Sequence, residues 1–260
     1  MHIGLIYFFV IIFANTVGAV SGMGGGVIIK PLFDAIGVHS LSEISFYSSV
    51  AVFTMAIVST IKQIKNGINI NYKLTIAISS ASVIGGGIGN TLFQTLLKIC
   101  SSENTVMGIQ IILTIISLGF AYLYTKKSWK SLELKDIKWY VLVGGFLGLL
   151  STLLGIGGGP INIAIIMLFF GIPIKETTVY SIIIILFSQL SKLASIGLSV
   201  GYARYDLSLL VFIIPAAILG GSLGAKLSKT LKDDTVLVVY QYIVVFVIFL
   251  NVLNGVKINY

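Results

Sequence analysis

The chain has 260 residues, 57% of them apolar and only 10% charged, with a formal net charge of +8 and a mean hydropathy of +1.03. Soluble domains carry roughly 25% charged residues, so this composition excludes a water-soluble globular fold and makes lipid the solvent for most of the surface. The positive charge does not read as a nucleic-acid surface, because the lysines gather at the ends of apolar runs, as in the cytoplasmic loops of membrane proteins.

The first apolar stretch, about Ile3 to Gly37, is too long for one span at ~1.5 Å per residue across ~30 Å of hydrocarbon. Three successive glycines, Gly24, Gly25 and Gly26, break it into arms near Ile3–Val20 and Val27–Ile36. Met1–Val17 lacks a basic n-region and its segment recurs later, so it is expected to belong to the fold and not to a cleaved leader. Apolar helices follow at about Ile44–Ile61, Leu74–Leu97 and Val106–Tyr124. A lysine-rich stretch, 126–138, then acts as a basic cytoplasmic linker between a first membrane unit, residues 1–125, and a second, 139–260. The second unit repeats the plan with a broken segment from about Trp139 to Gly171 and helices near Thr177–Val200, Leu207–Ala225 and Val236–Leu253. The expected fold class is an all-α polytopic membrane protein with about eight hydrophobic segments, the first of each half broken at a Gly-Gly-Gly.

The two halves are expected to be homologous repeats. A shift of 133 positions carries Gly22 and Gly24–Gly26 onto Gly155 and Gly157–Gly159, then Glu43 onto Glu176, Tyr47 onto Tyr180 and Ser48 onto Ser181. With a slip of one or two residues, Gly85, Gly86 and Gly89 match Gly220, Gly221 and Gly224. These pairs, like Gly144 and Gly148, have the spacing of small-residue faces where helix backbones approach closely. If each broken segment crosses once, the halves are parallel and the lysine-plus-arginine count of the two faces is 10 against 5. If each folds back, the repeats are inverted and the count is 12 against 3, with Lys30 and Lys192 left out of both. The positive-inside rule favours the inverted arrangement, with both termini outside.

Candidate functional residues cluster at the breaks. Irregular backbone inside a bilayer is tolerated only where protein or a water-filled cavity surrounds it, and a half-helix that starts at such a break points N–H groups and a positive dipole end at an anion. Gly24, Gly25, Gly26, Gly157, Gly158 and Gly159 are therefore candidate anion contacts, with Pro160 suited to a first helical turn. Ser21, Ser151 and Asn162 are neutral hydrogen-bonding groups near them, as are Asn15, Thr16 and Thr152. Lys192 lies inside an apolar helix, where a lysine is costly enough to imply a partner or a cavity. Ser181, Ser188 and Ser195 recur every seven positions beside it, with Gln189 to one side, so Ser188 and Lys192 are expected on the wall of an anion path. Glu43 and Glu176 read as helix-start charges, with coupling or gating as their functional alternative. Lys30 and Pro31 have no counterpart in the second half, which makes the halves unequal. One cysteine, Cys100, and two histidines, His2 and His39, supply no metal-ligand set and no nucleophile–base pair, so no metal, no cofactor and no enzyme activity are expected.

The paired glycine-triplet segments, the Glu-x-x-x-Tyr-Ser helix starts and the Gly-Gly-x-x-Gly third helices resemble the TauE/SafE family of sulfite exporters, also called the 4-toluene sulfonate uptake permease family. The likeness runs from about Ile3 to Asn254 and puts the family motif on Gly22, Gly24–Gly26 and Pro31, and on Gly155 and Gly157–Gly159, with the second-half proline at Pro160. The resemblance implies a multi-pass carrier of the inner, or plasma, membrane for small sulfur-containing anions such as sulfite, sulfoacetate or sulfonates. It also implies secondary transport without ATP; the chain has no Walker motif. The expected partners are a small anion, the lipid bilayer and protons as a coupling ion, with no nucleic acid. An anion channel of the same architecture, or a carrier of another small organic anion, is the alternative; a purely structural membrane protein is disfavoured by the cost of Lys192 and of two broken helices in lipid.

Overall fold

Inside hydrocarbon a segment must satisfy its own backbone N–H and C=O groups, so each apolar run becomes a helix. In the computed structural model, which describes residues 2–65, 71–127, 129–199 and 201–258, these are α1 (His2–Ser21), α2 (Gly26–Ile36), α3 (Leu41–Lys65), α4 (Tyr72–Ile99) and α5 (Glu103–Lys127) in the first half. The second half contains α6 (Ile137–Leu153), α7 (Gly159–Phe170), α8 (Ile174–Ser199), α9 (Leu210–Thr230) and α10 (Asp233–Ile258). Among the described residues there are two 3₁₀ turns before α9 and no strand, and seven helices are long and apolar enough to cross a membrane. Met1 and Val200, expected at segment ends, lie outside the described residues.

The helices extend beyond their apolar cores. α3 starts at Leu41 and runs through Lys62 and Lys65, with Glu43 in its first turn, and α10 starts at Asp233 and Asp234 and ends past Lys257. Acids at helix starts and lysines at helix ends complement the helix dipole, so a polar turn stays helical as it leaves the hydrocarbon. α9 begins three residues later than its apolar run, because Leu207–Leu209 forms a 3₁₀ turn capped by Asp206.

The broken segments fold back. Tyr7, near the start of α1, stacks on Phe33, near the end of α2, with ring centroids 3.7 Å apart. On a straight path of about 1.5 Å per residue the two rings would stand tens of ångströms apart. Tyr140 of α6 meets Phe170 of α7 in the same way, at 5.0 Å. Both ends of the first broken segment, the α2–α3 connection and the end of α10 therefore share one face; Lys257 Nζ donates to the Ala35 carbonyl there at 3.0 Å. Both ends of the second broken segment lie at the opposite face, where residues 129–136 run past the end of α7 and the Leu132 and Leu134 N–H groups donate to the Leu168 and Phe169 carbonyls. Of the 17 lysines and arginines, Lys98, Arg204 and Lys257 lie at the terminus face, Lys30 and Lys192 are buried, and the other 12 lie at the opposite face.

The halves exchange partners. α1 packs chiefly along α9, and α6 along α4, while α3 also meets α9 and α4 meets α8. Glycines permit the approach: a Cβ on Gly148 of α6 would stand 2.5 Å from the Ser82 carbonyl oxygen of α4, and one on Gly220 of α9 would stand 2.9 Å from the Ile12 carbonyl of α1. α10 holds both short arms, with Tyr240 Oη donating to the Pro160 carbonyl at 2.7 Å and Asn254 Nδ2 to the Pro31 carbonyl at 2.8 Å.

Two outcomes test this arrangement. Gly148→Ala will destabilise the purified protein by about 1–3 kcal/mol through overpacking, whereas Gly119→Ala in α5, where a Cβ meets nothing within 4 Å, will leave the thermal midpoint unchanged or raise it. In a Cys100→Ser background, Asn104→Cys will react with an impermeant maleimide on intact cells and Lys130→Cys only after permeabilisation, as the positive-inside rule requires.

Candidate functional site

The two breaks share the turn that ends the preceding helix but differ after it, since Gly25 is right-handed at φ of −69° where Gly158 takes positive φ. α1 stops at Ser21 because Gly22 and Gly24 take φ of 73° and 74°, values that favour glycine, and the Gly24 N–H donates back to the Gly18 carbonyl at 3.1 Å. α6 stops at Leu153, Gly155, Gly157 and Gly158 take φ of 68°, 80° and 82°, and the Gly157 N–H donates to the Ser151 carbonyl at 3.2 Å. Donor and acceptor in the second turn are each 133 positions beyond those in the first. The same offset relates two bonds that run crosswise: Ser181 Oγ donates to the Gly22 carbonyl at 2.6 Å, and Ser48 Oγ to the Gly155 carbonyl at 3.4 Å.

The breaks also touch each other. A Cβ on Gly26 would stand 2.6 Å from the Ile156 carbonyl oxygen, and one on Gly159 would stand 3.3 Å from that of Met23. Val52 and Ile185, again 133 apart, each reach toward both Gly24 and Gly157. Met23, Ile156, Val52 and Ile185 are all buried, so the point where the breaks meet is lined by apolar side chains and the polar groups stand beside it.

Those polar groups form two clusters. In one, Ser151 and Ser188 hydroxyls lie 2.9 Å apart and Gln189 Nε2 donates to Ser151 Oγ at 3.0 Å. In the other, Lys192 Nζ donates to Ser45 Oγ at 2.7 Å and approaches the Ser45 carbonyl at 3.4 Å, with the Phe93 ring centroid 5.8 Å away. Lys192 is 1% exposed; its ammonium reaches across to α3 and does not extend toward an interface. A Cβ on Gly155 would stand 3.2 Å from Ser45 Oγ and 3.4 Å from the Lys30 stem, so two buried lysines flank Ser45 and the second break. Lys30 Nζ pairs with Asp34 Oδ2 at 2.8 Å. Among the described residues the ion pairs are Lys30–Asp34 and Lys138–Asp136, which leaves Lys192 without a carboxylate partner. Two ammonium groups thus share one carboxylate in a buried region, a net positive charge whose desolvation costs several kcal/mol unless an anion offsets it.

The remaining expected residues are distributed around this centre. Ser21 Oγ donates within its own helix, to the Val17 carbonyl at 2.8 Å. Asn162, fully buried in the first turn of α7, has no partner for either side-chain atom and lies against Gly158; Asn15, against Gly25, leaves its Oδ1 unpartnered. Along the serine row on α8, Ser181 bonds the Gly22 carbonyl of the first break, Ser188 meets Ser151 of α6, and Ser195 bonds the Ser191 carbonyl of its own helix. Glu43 forms a reciprocal cap, accepting from the Ser40 N–H at 2.9 Å and hydroxyl at 2.7 Å, and Glu176 lies half-buried in the first turn of α8 at the other face. Ser45 and the Lys30–Asp34 pair escape a reading that follows only the doubled motifs. Their signals are the three-residue rhythm of Ser42, Ser45 and Ser48 in an apolar helix and the four-residue spacing of Lys30 and Asp34.

Each face carries a cleft of about 300 Å³ between the two halves. The terminus-face cleft is lined by Asp34, His39, Leu41, Glu103, Asn104 and Lys257 among others. The lysine-rich face has one bordered by Tyr124, Trp129, Met167, Pro173 and Leu237. Met167 is 133 positions after Asp34, so one cleft is charged where the other is apolar.

Residues 7–252 match the family model described as sulfite exporter TauE/SafE. The chain is 23% identical over 254 residues to the probable membrane transporter protein YunE of Bacillus subtilis, covering 90% of this chain and 92% of that protein. It is 26% identical over 233 residues to a probable membrane transporter protein of Methanocaldococcus jannaschii, covering 83% and 82%. No solved structure matches.

An unpaired buried ammonium kept for binding and not for stability has a thermal signature. Lys192→Met removes the charge at nearly constant volume, so the thermal midpoint of the ligand-free protein will hold or rise. Ser45→Ala, which strips the ammonium of a hydrogen bond, will lower stability by about 1–3 kcal/mol. A large fall in the midpoint of Lys192→Met would assign Lys192 a structural role.

Proposed function

The chain belongs to the sulfite exporter TauE/SafE family of membrane transporters, and from that premise we propose that it carries small sulfur-containing oxyanions, such as sulfite and sulfonates, across the plasma membrane. The observation that carries this reading is Lys192, a buried ammonium with a serine hydroxyl and an aromatic ring around it and no carboxylate partner. An oxyanion presents several acceptor oxygens on one centre. The ammonium of Lys192, the hydroxyl of Ser45 and the neighbouring Ser151–Ser188 pair offer donors to them, and Gly155 keeps the backbone close. Asn162, with both side-chain atoms free, supplies a further donor at the start of α7, where the helix dipole also favours negative charge.

The proposed path joins two clefts that open on opposite faces, one at the far end of each short arm from its glycine break. In this reading the halves are inverted repeats that rock about the contact between Gly24–Gly26 and Gly157–Gly159, exposing the anion first to one cleft and then to the other. Val52 and Ile185 close the space between the breaks, which suits a carrier that never opens both sides at once. Protons are the proposed coupling ion, and the chain has no nucleotide-binding motif to supply energy otherwise. Glu43 and Glu176, in first helical turns at opposite faces, are candidates for gating each cleft.

Uptake of radiolabelled sulfite and of simple sulfonates into vesicles containing the purified protein tests the proposal. The expected result is saturable uptake that responds to an imposed pH gradient. Lys192→Met, which loses a charge-assisted hydrogen bond of about 1.5–3 kcal/mol, will weaken the apparent affinity by roughly 10- to 100-fold, and Gly158→Leu will abolish transport. Unaltered uptake in both variants would rule out this site. Ohmic, non-saturating currents would favour a channel.

A further inference from the structure

The buried charges near Ser45 do not balance: Lys30 and Asp34 come from the first half and Lys192 from the second. Lys30 and Lys192 carry two positive charges against the single carboxylate of Asp34. A monoanion at this place leaves the region neutral, whereas a dianion leaves a buried negative charge, which is costly in low dielectric. A proton taken up beside the site removes that excess.

Several ionisable groups surround the cleft from which such a proton would come. Lys30 lies on α2, Tyr7 on α1, His39 in the α2–α3 connection, Glu43 and Tyr47 on α3, Glu103 on α5 and Lys257 on α10. Most are committed elsewhere. Glu43 holds Ser40, Glu103 accepts from the Leu41 N–H at 2.9 Å, Lys257 donates to the Ala35 carbonyl, and His39 bonds Tyr7 Oη at 2.7 Å. Tyr7 and Tyr47 are phenols, which carry no charge near neutrality. Asp34 differs in three ways: its side chain is 3% exposed, its Oδ2 is bound to Lys30, and its Oδ1 has no partner. It also lines the cleft, so it touches both the route from the terminus face and the lysine that flanks Gly155.

We propose that Asp34 is a built-in counter-ion which a doubly charged substrate displaces from Lys30, and that its carboxylate takes up one proton as it is displaced. This role rests on the anion site at Lys192 and Ser45 and deepens it by naming the coupling group. The step is a simple protonation: a proton arriving through the cleft binds Oδ1, the carboxylate becomes a neutral acid, and the Lys30 ammonium is released to the anion. A dianion therefore travels with one proton and a monoanion with none. With Met167 at the equivalent position of the second half, only one half couples.

Binding measurements on the full-length protein in detergent separate this role from the site itself. Sulfate, doubly charged across the neutral range, and methanesulfonate, singly charged across it, are the probes. In the wild-type protein, sulfate affinity will strengthen by about tenfold per unit fall in pH, as one linked proton requires, and methanesulfonate affinity will stay flat. In Asp34→Asn the sulfate slope will vanish and sulfate affinity at the alkaline end will rise, because Lys30 is already free. The double variant Lys30→Met, Asp34→Leu removes the pair together and so avoids an unpaired buried charge; it too will lose the slope, but with weakened sulfate binding. His39→Gln will keep the slope. A sulfate slope that persists in Asp34→Asn or in the double variant, or that disappears in His39→Gln, overturns the role of Asp34 and leaves the anion site standing. Binding of methanesulfonate without sulfate at any pH overturns it as well. Failure of both probes to bind the wild-type protein overturns the anion site and the coupling role together.

Discussion

Backbone groups released at Gly22–Gly25 and Gly155–Gly158 cannot be hydrated inside a bilayer, and the arrangement of the other helices answers that constraint. Each break turns back on its own helix through one N–H bond, to Gly18 or to Ser151, and receives a serine hydroxyl from the opposite half, Ser181 or Ser48. The long helices then enclose the breaks by packing across the halves, α1 with α9 and α6 with α4. Glycine serves two purposes here. At the breaks it supplies positive φ, and on α4, α6 and α9 it removes the side chain that would hold two backbones apart.

Within that enclosure the two halves differ in charge. The turns that end α1 and α6 repeat, yet Ile163 and Met167 stand at the positions that correspond to Lys30 and Asp34, and Ser59 at the one that corresponds to Lys192. Similar turns thus stand beside unlike charges. Two clefts open on opposite faces, and in the proposed function the unlike charges hold the anion and mark the cleft that delivers the proton. Stability alone gives no reason to keep Lys192, since an apolar side chain of similar volume avoids the desolvation cost. In the proposed function it is the anion that offsets this cost.

The helices, their breaks and the membrane setting were legible from apolar run length, glycine triplets and lysine clusters, because these depend on local composition and on hydrocarbon thickness. Lys192 was legible too, since a lysine in a long apolar helix is anomalous wherever the helix lies. The direction of the short arms was favoured by the lysine-plus-arginine count alone, because the glycines themselves allow either a kinked crossing or a hairpin. Contacts between residues far apart in sequence, Tyr7 with Phe33 and Tyr140 with Phe170, distinguish the two. The partner of Lys192 was hidden for the same reason: Ser45 lies 147 positions away, and only helix packing makes them neighbours. The partners of the α8 serines were hidden as well, because a seven-residue rhythm sets the face of a helix, while the bonds each hydroxyl makes depend on whatever that face meets. Periodicity is a property of one segment and is written in the chain; the meeting of segments depends on the sum of many weak contacts, and that sum exists only in the folded protein.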